Sequence, residues 1–242
     1  MKRRSIYVIA ALCTAIALLV MSLALLGVYA GENKAPDLIF KLDFSDSQNL
    51  GKNTAKTDIP DAELVGNGFV FTENEVQGKS SVKLPGGSVR TNYITIDGAV
   101  LENDSITIAG WYKIPSDVAG WARTLEIYGD EDNFISIMPY APNYYNGFHV
   151  CGKIGGTVLK SAVDPNADNI LFKGGDSTAN INVPEAGYVL PVYDAWVHYA
   201  YEFTPEGFSV YQNGILLTTV EGNFSASQFF KDGSKVVSAQ LL

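Results

Sequence analysis

Cysteine is scarce in this chain: 242 residues hold two, Cys13 inside an N-terminal apolar run and Cys151 far downstream. With one of the pair in that run, no disulfide can form within the remaining domain, and stability has to come from packing. About 210 residues are ample for a sizeable core without cross-links. Cys151 has no Cys or acid-flanked His near it in sequence and reads as a small buried thiol. Histidine is equally scarce. His149 and His198 are the only two, and neither stands beside a Ser or Cys in a recognisable nucleophile motif, so both read as strand residues. Basic residues are outnumbered, 17 Lys and Arg against 26 Asp and Glu, for a net charge of −9. Lys2, Arg3 and Arg4 are the only charges in the first thirty residues, so without them the charge of −9 becomes −12. A nucleic acid would be repelled, and no Lys/Arg stripe exists to neutralise phosphates. The acidic surface itself reads as a solubility feature. Internal repeats and low-complexity runs are also lacking.

What is present begins with the N-terminus. Met1 to Arg4 is a basic start, Ser5 to Ala30 carries no charge, and Val28-Tyr29-Ala30 offers small residues suited to signal-peptidase cleavage. The run also reaches the roughly 20 residues that span a bilayer. Residues 1–30 therefore read as a signal peptide or as an uncleaved anchor helix, with the domain secreted or on the extracellular face of the membrane in either case. Residues 31–36 read as a short polar linker and 37–242 as one domain.

The 23 Gly, 10 Pro, 13 Tyr and 12 Phe favour many short strands joined by turns. The clearest stretch is Trp196 to Val220. Val197, Tyr199, Tyr201 and Phe203 alternate with His198, Ala200 and Glu202, the period of a strand with one buried face. Thr204-Pro205-Glu206-Gly207 then reverses the chain, and after Phe208 to Gln212 the pair Asn213-Gly214 tolerates the two positive φ values of a type I′ hairpin. The whole stretch is a three-stranded meander. Upstream, Leu38, Phe40, Leu42 and Phe44 alternate with polar neighbours and predict an opening strand, followed by a polar loop from Asp46 to Asp58. Further strands are predicted around Gly68 to Thr72, Ser80 to Leu84, Tyr93 to Ile96, Ser105 to Ile114, Ala122 to Tyr128, Asn133 to Pro139 and Gly147 to Cys151, with Pro85-Gly86-Gly87 as the clearest connecting turn. Between Gly152 and Asp194 the apolar runs are short, fitting either an extended insertion or strands without a legible register.

Trp196-Val197-His198, a short turn, and Val210-Tyr211-Gln212-Asn213-Gly214 resemble laminin G-like members of the concanavalin A-like superfamily. Gly78 to Leu84 and Ser105-Ile106-Thr107-Ile108-Ala109-Gly110-Trp111-Tyr112-Lys113 resemble two earlier strands of the same family, in the same order. The resemblance implies an all-β, two-sheet antiparallel jelly-roll sandwich preceded by the N-terminal apolar helix. It fixes no ligand, since the fold hosts lectins, glycosidases, adhesion modules and spacers. Glu126-Ile127-Tyr128-Gly129-Asp130-Glu131 begins like the Glu-x-Asp-x-x-Glu strand of jelly-roll glucanases but departs from it. Tyr128 holds the Asp position, and Glu131 falls in a turn. No spaced pair secures the roughly 5–5.5 Å carboxyl separation that a retaining glycosidase needs.

For carbohydrate binding the candidates are Trp121 and the turn-rich loop with Tyr140, Tyr144, Tyr145 and Asn146, because a sugar's C–H face stacks on a ring while amides bond its hydroxyls. The same rings fit a second role, capping the core. Relatives of the fold commonly bind calcium, and the loop acids Asp43, Asp46, Asp130 and Asp132 could supply oxygen ligands or be solvated. The reading is an exported, non-catalytic carbohydrate-recognition module whose partner is a polysaccharide or glycan, with no required cofactor and membrane contact only through the N-terminal segment. A structural or adhesion module meeting surface proteins is the alternative, and a jelly-roll hydrolase using Glu126 is a third. The family's closing strand has no match after Val220, where only Lys235 to Leu242 is strand-like. The domain is therefore expected to lack its last strands, leaving an exposed sheet edge.

Overall fold

A computed structural model describes residues 37–76, 78–85, 91–118, 122–141, 147–162, 170–173 and 192–239. The chain separates into a segment Met1–Leu38 and a compact unit Ile39–Leu242. The fold is that of the second, and the N-terminal apolar helix lies outside the described residues. Among the described residues, no helix is long and apolar enough to cross a membrane.

The unit is nearly all β. Its strands are β1 (Glu63–Val65), β2 (Val70–Val76), β3 (Lys79–Lys83), β4 (Tyr93–Asp97), β5 (Ile106–Lys113), β6 (Leu125–Asp130), β7 (Asn133–Ala141), β8 (Gly147–Ile154), β9 (Thr157–Ala162), β10 (Ile170–Lys173), β11 (Trp196–Phe203), β12 (Gly207–Gln212), β13 (Ile215–Glu221) and β14 (Lys235–Ala239), with 3-10 turns at Gly98–Leu101 and Ala226–Phe229. One sheet runs β1-β4-β14-β6-β7-β8-β9-β10, a second β13-β12-β11-β5, and β2 and β3 pair alone. The inner faces of the two larger sheets share one core. Leu125, Ile127, Ile135, Ile137 and Val236 come from the first and Val197, Tyr199, Tyr201, Phe203, Phe208 and Val210 from the second.

The meander forms as its sequence predicts. In β11 the odd-numbered residues are buried and the even-numbered ones half-buried. Asn213 and Gly214 have φ of 50° and 80°, the two positive values the hairpin requires. At the preceding turn the Thr204 hydroxyl accepts from the Glu206 and Gly207 amides while the Thr204 amide donates to the Gly207 carbonyl. A side-chain oxygen thus stands in for the turn's own backbone acceptor.

Several expectations need correction. Residues 37–45 form no strand despite their alternation. Their backbone groups bond to the facing loop instead: Thr54 N donates to Lys41 O, Lys41 N to Asn53 Oδ1, and the Thr57 hydroxyl to Ile39 O. The apolar side chains still pack, with Phe40, Leu42 and Phe44 against Ala62, Leu84 and Ile94. The architecture is also more than two antiparallel sheets, because β2 and β3 form a third and β9 pairs with β10 in parallel. The polar tract after Gly152 contains β9 and β10. The Pro85-Gly86-Gly87 turn falls mostly outside the described residues. Finally, the apolar tail does not lie at an open edge. Over Lys235–Ala239 it is β14, paired antiparallel with β4 on one side and with β6 on the other.

Candidate functional site

The structure brings together a set of side chains that the sequence left scattered. Residues alternating outward from β5 are Thr107, Ala109, Trp111 and Lys113, all exposed. Register places His198 opposite Trp111, Ala200 opposite Ala109, and Glu202 opposite Thr107. On the far side of β11, Tyr211 pairs with Ala200 and Ser209 with Glu202, and Thr219 of β13 pairs with Ser209. The outer face of the four-stranded sheet therefore holds a row of small residues flanked by rows of larger ones, a trough in side-chain size. Its floor is Ala109 and Ala200, where the missing side-chain bulk leaves a depression. One wall is aromatic, with Trp111 42% exposed and its ring 5.4 Å from that of His198 in an edge-on contact. The opposite wall is polar, with Thr107, Glu202, and Ser209 bonded to Thr219 at 2.9 Å. Tyr211 closes the end, donating its hydroxyl to Glu202 Oε2 at 3.1 Å, and that acceptor raises the phenol's pKa. From two interstrand spacings and one two-residue step, Trp111 and Tyr211 stand about 12 Å apart. His198 is fixed through its backbone: its amide donates to Asn213 Oδ1 and its carbonyl accepts from the Asn213 amide.

The aromatic residues singled out from sequence are elsewhere. Trp121, Tyr144, Tyr145 and Asn146 lie outside the described residues. Tyr140 is in β7, and its side chain lies outside the description, as do those of His149 and Cys151 in β8. Sequence reading missed Trp111 and Tyr211 as site residues. The period-two pattern of β5 and β11 puts Trp111 and His198 on outward faces, but only the strand order makes those faces one surface.

The loop acids are engaged by the protein itself. Asp43 accepts from the Ser45 amide and the Thr54 hydroxyl and pairs with Lys41 at 3.1 Å. Asp46 accepts from the Gln48 amide. Asp130 accepts from the Asp132 amide and Asn133 side chain and pairs with Lys231, while Asp132 lies 3.7 Å from Lys153. Among the described residues no group of three or more His, Cys, Asp or Glu side chains could hold a metal ion. The bonds from Ser45, then Lys41 and Thr54, hold the Asp43 carboxyl well below its ordinary value of 3.8 despite partial burial. A depressed folded-state pKa contributes stability that is complete above the ordinary value and is lost as pH falls through the folded one. Asp43→Asn is therefore expected to cost no more than about 1 kcal/mol at neutral pH, since solvent screens this loop. It should also flatten the loss of stability below pH 3.8 in acid denaturation curves.

Glu126 is a different case. It is 5% exposed on β6, 2.6 Å from Arg123 Nε, and accepts the Ser136 hydroxyl at 2.9 Å. Glu131 and Asp132 form the turn after the strand, and Tyr128 is 42% exposed.

A scan against protein-family models gives no match, and a search of curated proteins gives none. Among solved structures, the chain is similar to domain 4 of AbnA, a GH43 extracellular arabinanase from Geobacillus stearothermophilus, solved in complex with arabinotriose. That likeness has 13% identity and a TM-score of 0.56, covering 84% of this chain and 82% of that one. It is also similar to full-length tailspike protein 2 from Escherichia coli O157:H7 bacteriophage CAB120, at 14% identity and a TM-score of 0.49, covering 78% of this chain and 24% of the tailspike. At these identities the arabinanase domain speaks to fold alone.

Proposed function

We propose that this chain is an exported, non-catalytic carbohydrate-recognition module of the jelly-roll, laminin G-like kind, and that it binds a neutral oligosaccharide in the trough of the four-stranded sheet. The carrying observation is Trp111, a large ring 42% exposed on a strand beside a floor of alanines and opposite Glu202, Thr107 and Tyr211. A sugar presents an apolar face and a hydroxyl rim, and this trough offers a partner for each. The fold shared with a domain solved around arabinotriose supports the reading. Export rests on the N-terminal sequence.

A glycan array with the full chain tests it. Trp111 points away from the core, so Trp111→Ala should change stability by no more than about 0.5 kcal/mol, while glycan affinity falls at least about tenfold, or about 1.4 kcal/mol. Uniform lack of binding by the wild type, or equal binding by Trp111→Ala, would sink the proposal. One observation favours the adhesion alternative. Edge strand β13 exposes Ile215 (63%) and Leu216 (50%), apolar groups that suit a protein partner.

A further inference from the structure

Register makes the floor of the trough small at one end and bulky at the other. Ala109 of β5 faces Ala200 of β11, Ala200 faces Tyr211 of β12, and Tyr211 faces Leu216 of β13. Ala109 is exposed, and among the described residues no strand pairs beyond β5 in this sheet. The floor therefore opens on the β5 edge. At the other end stands Tyr211, and behind it on the same face stands Leu216, 50% exposed.

The Tyr211 ring is pinned where it blocks that end. Its hydroxyl donates to Glu202 Oε2 at 3.1 Å. Glu202 is two residues along from Ala200, the partner of Tyr211, so the ring lies diagonally across the head of the floor. Both flanks are closed as well, by Trp111 and His198 on one side and by Thr107, Glu202 and Ser209 on the other. With adjacent strands about 4.8 Å apart, a floor that ends at Tyr211 has room for a single sugar ring and none for a chain continuing past it.

The chemistry at the closed end matches that shape. Apart from the Tyr211 bond, the Glu202 side chain takes no hydrogen bond and no ion pair among the described residues. A carboxylate has acceptor sites for more than one hydroxyl, so Glu202 keeps capacity for a ligand donor. An internal unit of a glycan spends the hydroxyl on its far side on the next linkage. A terminal unit keeps that hydroxyl free, and in this floor it points at Glu202.

We infer that the trough is blind-ended and holds the terminal unit of a neutral glycan chain, with the ring over Ala109 and Ala200 against Trp111, the free terminal hydroxyl on Glu202, and the rest of the chain leaving over β5. This rests on the carbohydrate-recognition reading and adds to it which part of the glycan is held.

Calorimetric titration of the full chain with linear glucans, mannans, galactans and pentosans, each as trimer, hexamer and long polymer, counts protein molecules per glycan chain. In a series that binds, each chain should take one protein molecule whatever its length, and affinity per chain should stay within about twofold from hexamer to polymer. Tyr211→Phe keeps the bulk of the barrier and should keep that count. Tyr211→Ala combined with Leu216→Ala removes the barrier from an outward face and should let one polymer chain take several protein molecules. Several wild-type molecules per polymer chain, or a double variant still limited to one, would overturn the inference, and if binding is still lost on Trp111→Ala the proposed function stands. Lack of binding in every series, or binding that Trp111→Ala does not weaken, would remove the proposed function and this inference with it.

Discussion

Phe208→Ala is expected to destabilise the domain by about 3–5 kcal/mol, the range for emptying a large aromatic site in a close-packed core. For a domain of this size that lowers the melting temperature by roughly 10 °C. The residue is fully buried in β12, with its ring 4.8 Å from that of Phe203 and 5.9 Å from that of Phe224. Phe203 in turn meets Phe229 edge-on at 6.2 Å, so one substitution loosens contacts that run from the meander to the second 3-10 turn. Surrounding backbone held in two sheets relaxes little, which keeps the cavity open and the cost near the upper end. Thermal melts of wild type and variant check this, and a shift of only a degree or two would mean that the aromatic cluster collapses to fill the space.

Local chemistry was legible in the sequence and long-range placement was not. Asn213-Gly214 could be read because a type I′ turn demands positive φ from two neighbours, a purely local requirement. The even-numbered face of β11 could be read for a similar reason. The strand predicted over Leu38 to Phe44 failed since its backbone bonds went to the side chains and amides of Asn53, Thr54 and Thr57, partners about a dozen or more residues away. β14 shows the same limit from the other side. Its apolar pattern was visible, but no local feature states that it fits between β4 and β6. The trough depends on β5 lying beside β11 across more than eighty residues of chain, so Trp111 and His198 looked like two unrelated strand residues.

Arg123→Met should be the other large loss, about 3–5 kcal/mol, because it leaves a carboxylate in low-dielectric surroundings without its guanidinium. Glu126 is 5% exposed, and the Arg123 side chain, 22% exposed, reaches it at 2.6 Å while the Ser136 hydroxyl bonds the same oxygen. Glu126→Gln keeps an acceptor for Ser136 and removes the charge that needed compensation, so it should cost less than Arg123→Met. Added to Arg123→Met, it should recover part of the loss, since the pair is then replaced and not broken. Denaturant unfolding of the two single variants and the double variant measures that coupling directly. The same cycle bears on the hydrolase alternative. A carboxylate committed to a guanidinium and a hydroxyl is poorly placed to exchange protons with a glycosidic oxygen, and the structural role predicts a stability defect in Glu126→Gln with glycan binding intact in the folded fraction. If instead Glu126→Gln leaves stability untouched and abolishes hydrolysis of a β-glucan by the wild type, the buried pair is part of a catalytic site and the non-catalytic reading fails.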